Sequence, residues 1–337
     1  MHNCRMRILV LGGTRHVGRA VVEGALARKD EVTTLNRGQS GRAAAGVESL
    51  VADRTDHEAL RSALEGREWD AVIDTWSGAP RFVRDACQLL SGRTGHYGYV
   101  SSRSVYSPPM LVDLDESAPV VDGDPADESD EDYAAAKRGG ELAALETFGD
   151  AALLARAGLI LGPYEHVGRM PWWLKRIERG GDVLAPGPAD QPIQYIDGRD
   201  LANWMLSAAE RGVGGAFNTV SQPGHTTMGE LLETAVAVVG SDARLVWLSP
   251  EEIEEAEIGA WIELPVWLPP TGEYAGLHRG DVSAAYAAGL VCRPVGETVA
   301  DTWAWLQAEG EPARPANRGS VGLDPEKERQ ALARFRP

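Results

Sequence analysis

Residues 8–18 read Ile-Leu-Val-Leu-Gly-Gly-Thr-Arg-His-Val-Gly. The apolar run Arg7–Leu11 has strand length, and His16–Arg28 then places Val17, Ala20, Val21, Gly24 and Ala25 at helical spacing. A strand that enters a glycine turn and leaves as a helix is the first unit of a parallel α/β sheet. Gly12 permits the tight turn, Gly13 lets backbone approach a pyrophosphate, and Gly18 lets the helix lie close to the strand. The helix N-terminus adds free N–H groups and partial positive charge. A dinucleotide is therefore expected at this turn. The alternative is a tight βα turn with no ligand.

The rhythm continues. Glu31–Leu35, Glu48–Ala52, Ala71–Asp74, Tyr97–Ser101 and Ala152–Ala155 read as strands. Asp56–Leu64, Arg81–Leu90 and Asp132–Phe148 read as helices. Continuous apolar strands alternating with helices predict a doubly wound parallel sheet covered on both faces. Pro108–Asp132 interrupts the pattern and carries ten acidic residues. It is either a solvated acidic flap or a lid over a substrate. After Pro163 the alternation becomes irregular. Helices are expected at Pro171–Glu178, Arg199–Arg211, Met228–Val239, Glu251–Glu257, Val282–Ala288 and Val299–Ala308, and short strands at Ile193–Ile196, Ala216–Val220 and Arg244–Leu248. Thr227 with Glu230 and Ser249 with Glu252 have capping-box spacing. Glu311–Gly322 reads as a linker to a last helix, Asp324–Phe335.

With 337 residues, 43% hydrophobic and 25% charged, the chain suits two domains or a domain with an appended lobe. The net charge of −17 argues against binding nucleic acid or an anionic membrane. Cys4, Cys87 and Cys292 lack metal or disulfide spacing, so no metal is expected and a reduced, cytoplasmic setting fits. The first apolar run is too short for a signal-peptide core, and no run reaches membrane-span length.

The second strand ends at Asn36-Arg37-Gly38. An acidic residue there suits a free ribose hydroxyl, whereas arginine suits a 2′-phosphate. Arg37, with Arg15 in the turn, predicts NADP(H) over NAD(H), which stays possible; otherwise Arg37 only decorates a loop. Asp53 either accepts from an adenine amino group or is a surface residue.

The fifth strand ends Tyr-Val-Ser-Ser at 99–102, and Tyr133-Ala-Ala-Ala-Lys137 opens the long helix. Spacing of four puts Tyr133 and Lys137 on one face. A nearby ammonium favours the phenolate, making the tyrosine a usable acid or base. Ser102, at the carboxyl end of a neighbouring strand, is placed to bond the same substrate oxygen. With 8 Tyr and 4 Lys, the pattern Tyr-x-x-x-Lys is expected by chance only about 0.1 times.

The segments Gly-Gly-Thr-Arg-His-Val-Gly (12–18), Asn-Arg-Gly (36–38), Ala-Asp-Arg-Thr-Asp (52–56), Val-Ile-Asp-Thr (72–75), Tyr-Val-Ser-Ser (99–102), Tyr133-x-x-x-Lys137, Gly-Leu-Ile-Leu-Gly-Pro-Tyr (158–164) and Ile-Gln-Tyr-Ile-Asp-Gly-Arg-Asp-Leu-Ala (193–202) span most of the chain. Together they resemble the extended or atypical short-chain dehydrogenase/reductases, the NAD-dependent epimerase/dehydratase group, in its bacterial branch with the Gly-Gly-Thr-Arg turn. The resemblance implies a Rossmann domain over 1–165 with a returning segment near 190–220. It implies a smaller α+β substrate lobe over 166–310, and a linker and helix over 311–337. It makes Ser102, Tyr133 and Lys137 the catalytic trio, with Lys137 also on the nicotinamide ribose. Along the cofactor it places Gly12, Gly13, Thr14, Arg15, His16, Val17, Gly18, Asn36, Arg37, Asp53, Arg54, Asp74 and Thr75. It also implies a homodimer. Arg15 departs from the extended pattern's third glycine. Arg156-Ala157-Gly158 replaces Arg-Pro-Gly, and Arg103-Ser104 replaces the Asp-Glu pair of sugar-nucleotide dehydratases, which argues against that elimination.

The tryptophans of the second half, Trp172, Trp173, Trp261 and Trp267, either fill a core or line an apolar substrate pocket. Ser104, His166, Trp172, Gln194 and Tyr195 are candidate substrate contacts. Three functions compete: an NADP(H)-dependent reductase or dehydrogenase of a ketone or secondary alcohol, a nucleotide-sugar epimerase that retains its cofactor, and a non-catalytic cofactor sensor.

Overall fold

The computed structural model describes residues 5–39, 44–311 and 321–336. Cys4 and most of the expected linker, 312–320, lie outside the described residues.

The first half alternates as expected. In chain order come β1 (Arg7–Leu11), α1 (His16–Ala27), β2 (Glu31–Asn36), β3 (Glu48–Val51), α2 (His57–Leu64), β4 (Ala71–Asp74), α3 (Arg81–Leu90), β5 (Tyr97–Ser102), α4 (Tyr133–Phe148) and β6 (Ala152–Ala157). The second half holds β7 (Leu159–Leu161), α5 (Arg169–Glu178), β8 (Asp182–Pro186), β9 (Pro192–Ile193), β10 (Tyr195–Asp197), α6 (Gly198–Glu210), β11 (Gly215–Thr219), β12 (Thr226–Thr227), α7 (Met228–Val239), β13 (Arg244–Leu248), α8 (Pro250–Glu255), α9 (Ser283–Ala287), α10 (Val295–Glu309) and α11 (Pro325–Phe335). None of these helices is long and apolar enough to cross a membrane.

The central sheet runs β3-β2-β1-β4-β5-β6-β11, with every neighbouring pair parallel. It is a Rossmann-type α/β sheet with a seventh strand recruited from the second half. The order reverses between β1 and β4, so a crevice opens at their carboxyl ends. One face is buried under α1 and α6, through Val21, Ala25, Leu201 and Met205. The other lies under α2, α3 and α4, through Leu60, Val83, Cys87 and Ala144.

A second core unites α5, β8, α7, β13 and α10 around Trp173, Leu184, Leu232, Leu248 and Trp267. Both expected capping boxes are present, on α7 and α8. The single strand expected at Ile193–Ile196 is two strands. β9 pairs antiparallel with β12, and β10 pairs parallel with β7. The chain changes sheets at Gln194, whose N–H donates to His278 Nδ1 (3.0 Å) instead of a ladder carbonyl. β8, unforeseen in the sequence, pairs with β13.

The acidic stretch after β5 is stitched down along its length. Val121 N donates to Val105 O, Met110 N to Glu273 O and Asp113 N to Arg279 O, at 2.7–2.9 Å. Glu116 Oε1 accepts from Asn218 N (2.6 Å), and Asp127 O accepts from Arg81 N. Its acidic side chains mostly face water while its backbone is tied to Val105 in the turn after β5, to the Asn218 side chain of β11 and to the 273–281 segment.

Candidate active site

The glycine turn is shaped by close approaches. Gly12 and Gly13 have φ of +122° and +95°, which side chains rarely adopt. A Cβ on Gly12 would lie 2.5 Å from Thr75 Oγ1, and one on Gly18 would lie 2.6 Å from Gly13 N. Gly18 lets the start of α1 lie directly against the backbone of the turn. A Cβ on Gly13 would strike Thr34 and Val22 inside the protein. Arg15 precedes α1 without a side-chain cap, which leaves the helix's first N–H groups available. Thr14 is half-buried, Arg15 exposed and Val17 buried in the core beside the turn.

His16 is buried, with Nε2 3.4 Å from Leu161 O. Burial, with His166 beside it, pushes its pKa down to about 4. The His166 ring meets His16 edge-on at 6.2 Å, so His166 lies beside the first residue of α1.

At the end of β2, Asn36 Oδ1 accepts from Gly38 N and Arg37 is exposed. Asp53 follows β3. The Thr55 N–H and hydroxyl hold its carboxyl below the usual range, and Arg37 adds to this, so Arg37 and Asp53 are neighbours at the same edge. Thr75 Oγ1 donates to Leu11 O (3.0 Å) beside the turn.

Two expected cofactor contacts are corrected. Arg54 and Asp74 bind each other, at 2.7 and 2.9 Å, with Asp74 wholly buried. Asp74 also accepts from Tyr97 Oη (2.6 Å) and Trp76 N (2.9 Å), so its oxygens are spent inside the protein. Burial opposes its ionisation, but Arg54 together with the hydrogen bonds from Tyr97 and Trp76 outweighs burial and keeps the carboxyl below its ordinary pKa.

The first turn of α4 begins at Tyr133, where Asp132 accepts from Ala134 N and Ala135 N. Tyr133 is 43% exposed, whereas Lys137, one turn on, is only 3% exposed. The Lys137 Nζ donates to Trp76 O (2.6 Å) and Val100 O (2.8 Å). Burial lowers its pKa to about 7; Asp74 and Glu141 pull it up, and Arg54 pulls it down. β5 is joined to the same helix by Ser101 Oγ donating to Glu141 Oε1 (2.7 Å). Ser102 follows on the exposed edge, with its Oγ 3.1 Å from Ser104 Oγ and accepting from Ser104 N.

The structure thus brings Ser102, Ser104, Tyr133 and Lys137 to the β5–α4 edge of the crevice. Three other substrate candidates, Trp172, Gln194 and Tyr195, are corrected. Gln194 and Tyr195 are each 1% exposed. Gln194 is consumed by Ser221 O, Gly280 N, Gly280 O and Arg103. Trp172 stacks edge-on against Trp173 and is covered by Gly322. Trp173 and Trp267 are core, with indole N–H groups on Pro265 O and Gly187 O.

Sequence reasoning passed over Glu141. This wholly buried carboxylate binds Arg156 through both oxygens, as well as Arg138 and Ser101. Its signal was available: a glutamate four residues past Lys137, on the same helix face.

The model of the NAD dependent epimerase/dehydratase family matches residues 8–219. The chain belongs to that family. Membership makes it a nicotinamide-dependent enzyme of the short-chain dehydrogenase/reductase type. No curated protein matches the chain. Among solved structures, it is similar to a putative epimerase from Burkholderia cenocepacia (21% identity, 90% of this chain and 98% of that one, TM-score 0.67). It is also similar to the Bordetella bronchiseptica enzyme WbmH in complex with NAD+ (18%, 91% and 100%, 0.67). A third is UDP-glucose 4-epimerase from Thermotoga maritima with UDP-glucose (17%, 90% and 99%, 0.66). At these identities the likeness is one of fold.

The family's cofactor fits the residues present. The turn's two left-handed glycines, the uncapped start of α1 and the exposed Arg37 beside Asp53 line one side of the crevice, and Lys137 stands on the other.

Proposed function

We propose that this family member is an NADP(H)-dependent oxidoreductase acting on a ketone or secondary alcohol of a small metabolite. One observation carries the reading. A buried ammonium, held by two main-chain carbonyls, stands one helical turn from an exposed tyrosine at the carboxyl edge of the sheet. When bound, the nicotinamide supplies or accepts the hydride. The chain's own residues handle the proton. The Lys137 ammonium lowers the cost of charge on the Tyr133 oxygen. Tyr133 then gives a proton to the carbonyl oxygen on reduction, or takes one from the hydroxyl on oxidation. Ser102 holds that oxygen in place. The first N–H groups of α1 bind the pyrophosphate, and Arg37 binds the 2′-phosphate.

Tyr133→Phe tests the assignment: turnover of free NADPH or NADP+ on carbonyl and alcohol panels should fall by about 10²–10⁴-fold while cofactor binding persists. Retained turnover ends it. A nucleotide-sugar epimerase is the second reading, supported by the fold shared with UDP-glucose 4-epimerase. It requires interconversion of sugars with no net change in free cofactor. The first reading extends to a small-molecule substrate, a homodimeric unit and a reducing cytoplasmic setting. Sedimentation tests the dimer.

A further inference from the structure

We infer that Arg54 and Asp74 are positioning residues that hold the Lys137 ammonium in place through the main chain of Trp76. The role rests on the proposed use of Lys137, but its geometry stands apart from any substrate.

The relay has few joints. Asp74 ends β4, and its Oδ1 accepts the Trp76 N–H at 2.9 Å. The same residue's carbonyl accepts from Lys137 Nζ at 2.6 Å, one of the two main-chain anchors of that ammonium. Moving Trp76 therefore moves an acceptor of the lysine. Asp74 is itself fixed on both oxygens, by the Arg54 fork and by Tyr97 Oη. Arg54 adds two further restraints. Its Nη2 donates to Phe82 O at 2.8 Å, in the first turn of α3. Its guanidinium also lies over the Trp76 ring at 4.7 Å. The indole N–H closes the turn on Ala79 O. Residues 74–82 thus form a rigid bracket, with the ion pair on one side and Lys137 on the other.

The pair also acts by charge. The groups facing Lys137 are Asp74 from β4, Arg54 from the loop after β3, Glu141 from α4 and the Tyr99 ring from β5 at 4.7 Å, with Tyr133 one turn back on its own helix. Asp74 favours the ammonium and Arg54 opposes it. Removing one or the other should therefore move the lysine in opposite directions. A merely structural pair would not do this, because loosening the site in either variant would hydrate the lysine and raise its pKa.

The test needs no cofactor and no substrate. The protein contains four lysines, so side-chain 13C-labelled lysine gives a simple spectrum in which Lys137→Arg identifies the resonance. The midpoint of the Lys137 titration should fall in Asp74→Asn and rise in Arg54→Gln, by about one pH unit each. Midpoints that stay put, or that move in the same direction, overturn the inference. If a single variant does not fold, the double variant Arg54→Met/Asp74→Leu serves. Asp74 is the stronger neighbour, so the midpoint should still fall. An unchanged or raised midpoint overturns the role. Midpoints that move as expected while Tyr133→Phe keeps full turnover support the bracket and sink the functional reading instead.

Discussion

Lys137 has three N–H bonds and gives two of them to carbonyls, which leaves one for the phenol or for a ligand. Its pKa near 7 in the cofactor-free protein has a consequence for stability. The folded-state value lies below the ordinary lysine value near 10.5, so the unfolded chain binds more protons between pH 7 and 10.5. Stability should therefore rise with pH across that window and be flat in this respect below it. Lys137→Met removes the dependence. Denaturant melts at pH 6, 8 and 10 should show the parent gaining on the variant as pH rises. In turnover, Tyr133→Phe should cost about 10²–10⁴-fold, the usual share of a positioned acid or base. Arg37→Ala should weaken NADP(H) binding by about 1.5–3 kcal/mol, as loss of a charge-assisted contact does, and leave NAD(H) affinity unchanged in a titration. Equal losses for both cofactors would remove Arg37 from the phosphate.

Among the elements, α1 and α4 build the two walls of the crevice by different means. α1 reaches the turn because Gly18 has no side chain. Gly18→Ala would set a methyl 2.6 Å from Gly13 N, and backbone must shift. A cost of about 1–3 kcal/mol is expected from such overpacking, with cofactor affinity lost as well; paired thermal melts with and without cofactor measure both. α4 is instead anchored by polar side chains, with Lys137 on β5 and the Trp76 turn and Glu141 on Ser101 and Arg156. The alternation of elements was legible because strand and helix periodicities are local. So were Tyr133 and Lys137, whose spacing states the geometry directly. Gln194 and Tyr195 were misjudged because their neighbours come from segments far away in the chain, Ser221 and His278 among them.

Across the whole molecule, the second core is closed by its last helix. Arg176 of α5 donates to Glu328 of α11 at 2.7 Å, and the other oxygen of Glu328 accepts from Leu184 N of β8 at 3.1 Å. Both side chains are buried. Glu328→Ala should strand the arginine charge and cost about 3–5 kcal/mol. Chemical denaturation would show it, and a loss below about 1 kcal/mol would mean that α11 is dispensable to this core.

Local order alone specified the Rossmann alternation, the glycine turn, the capped helices and the tyrosine–lysine pair, because each is written in spacings of a few residues. The strand β8 with its pairing to β13, the split at Gln194 and the partners of the buried charges came only from the folded chain. Arg54 with Asp74, Glu141 with Arg156 and Arg176 with Glu328 are separated by 20, 15 and 152 residues. A buried charge must find its counter-charge wherever topology delivers one, and periodicity holds no record of that meeting.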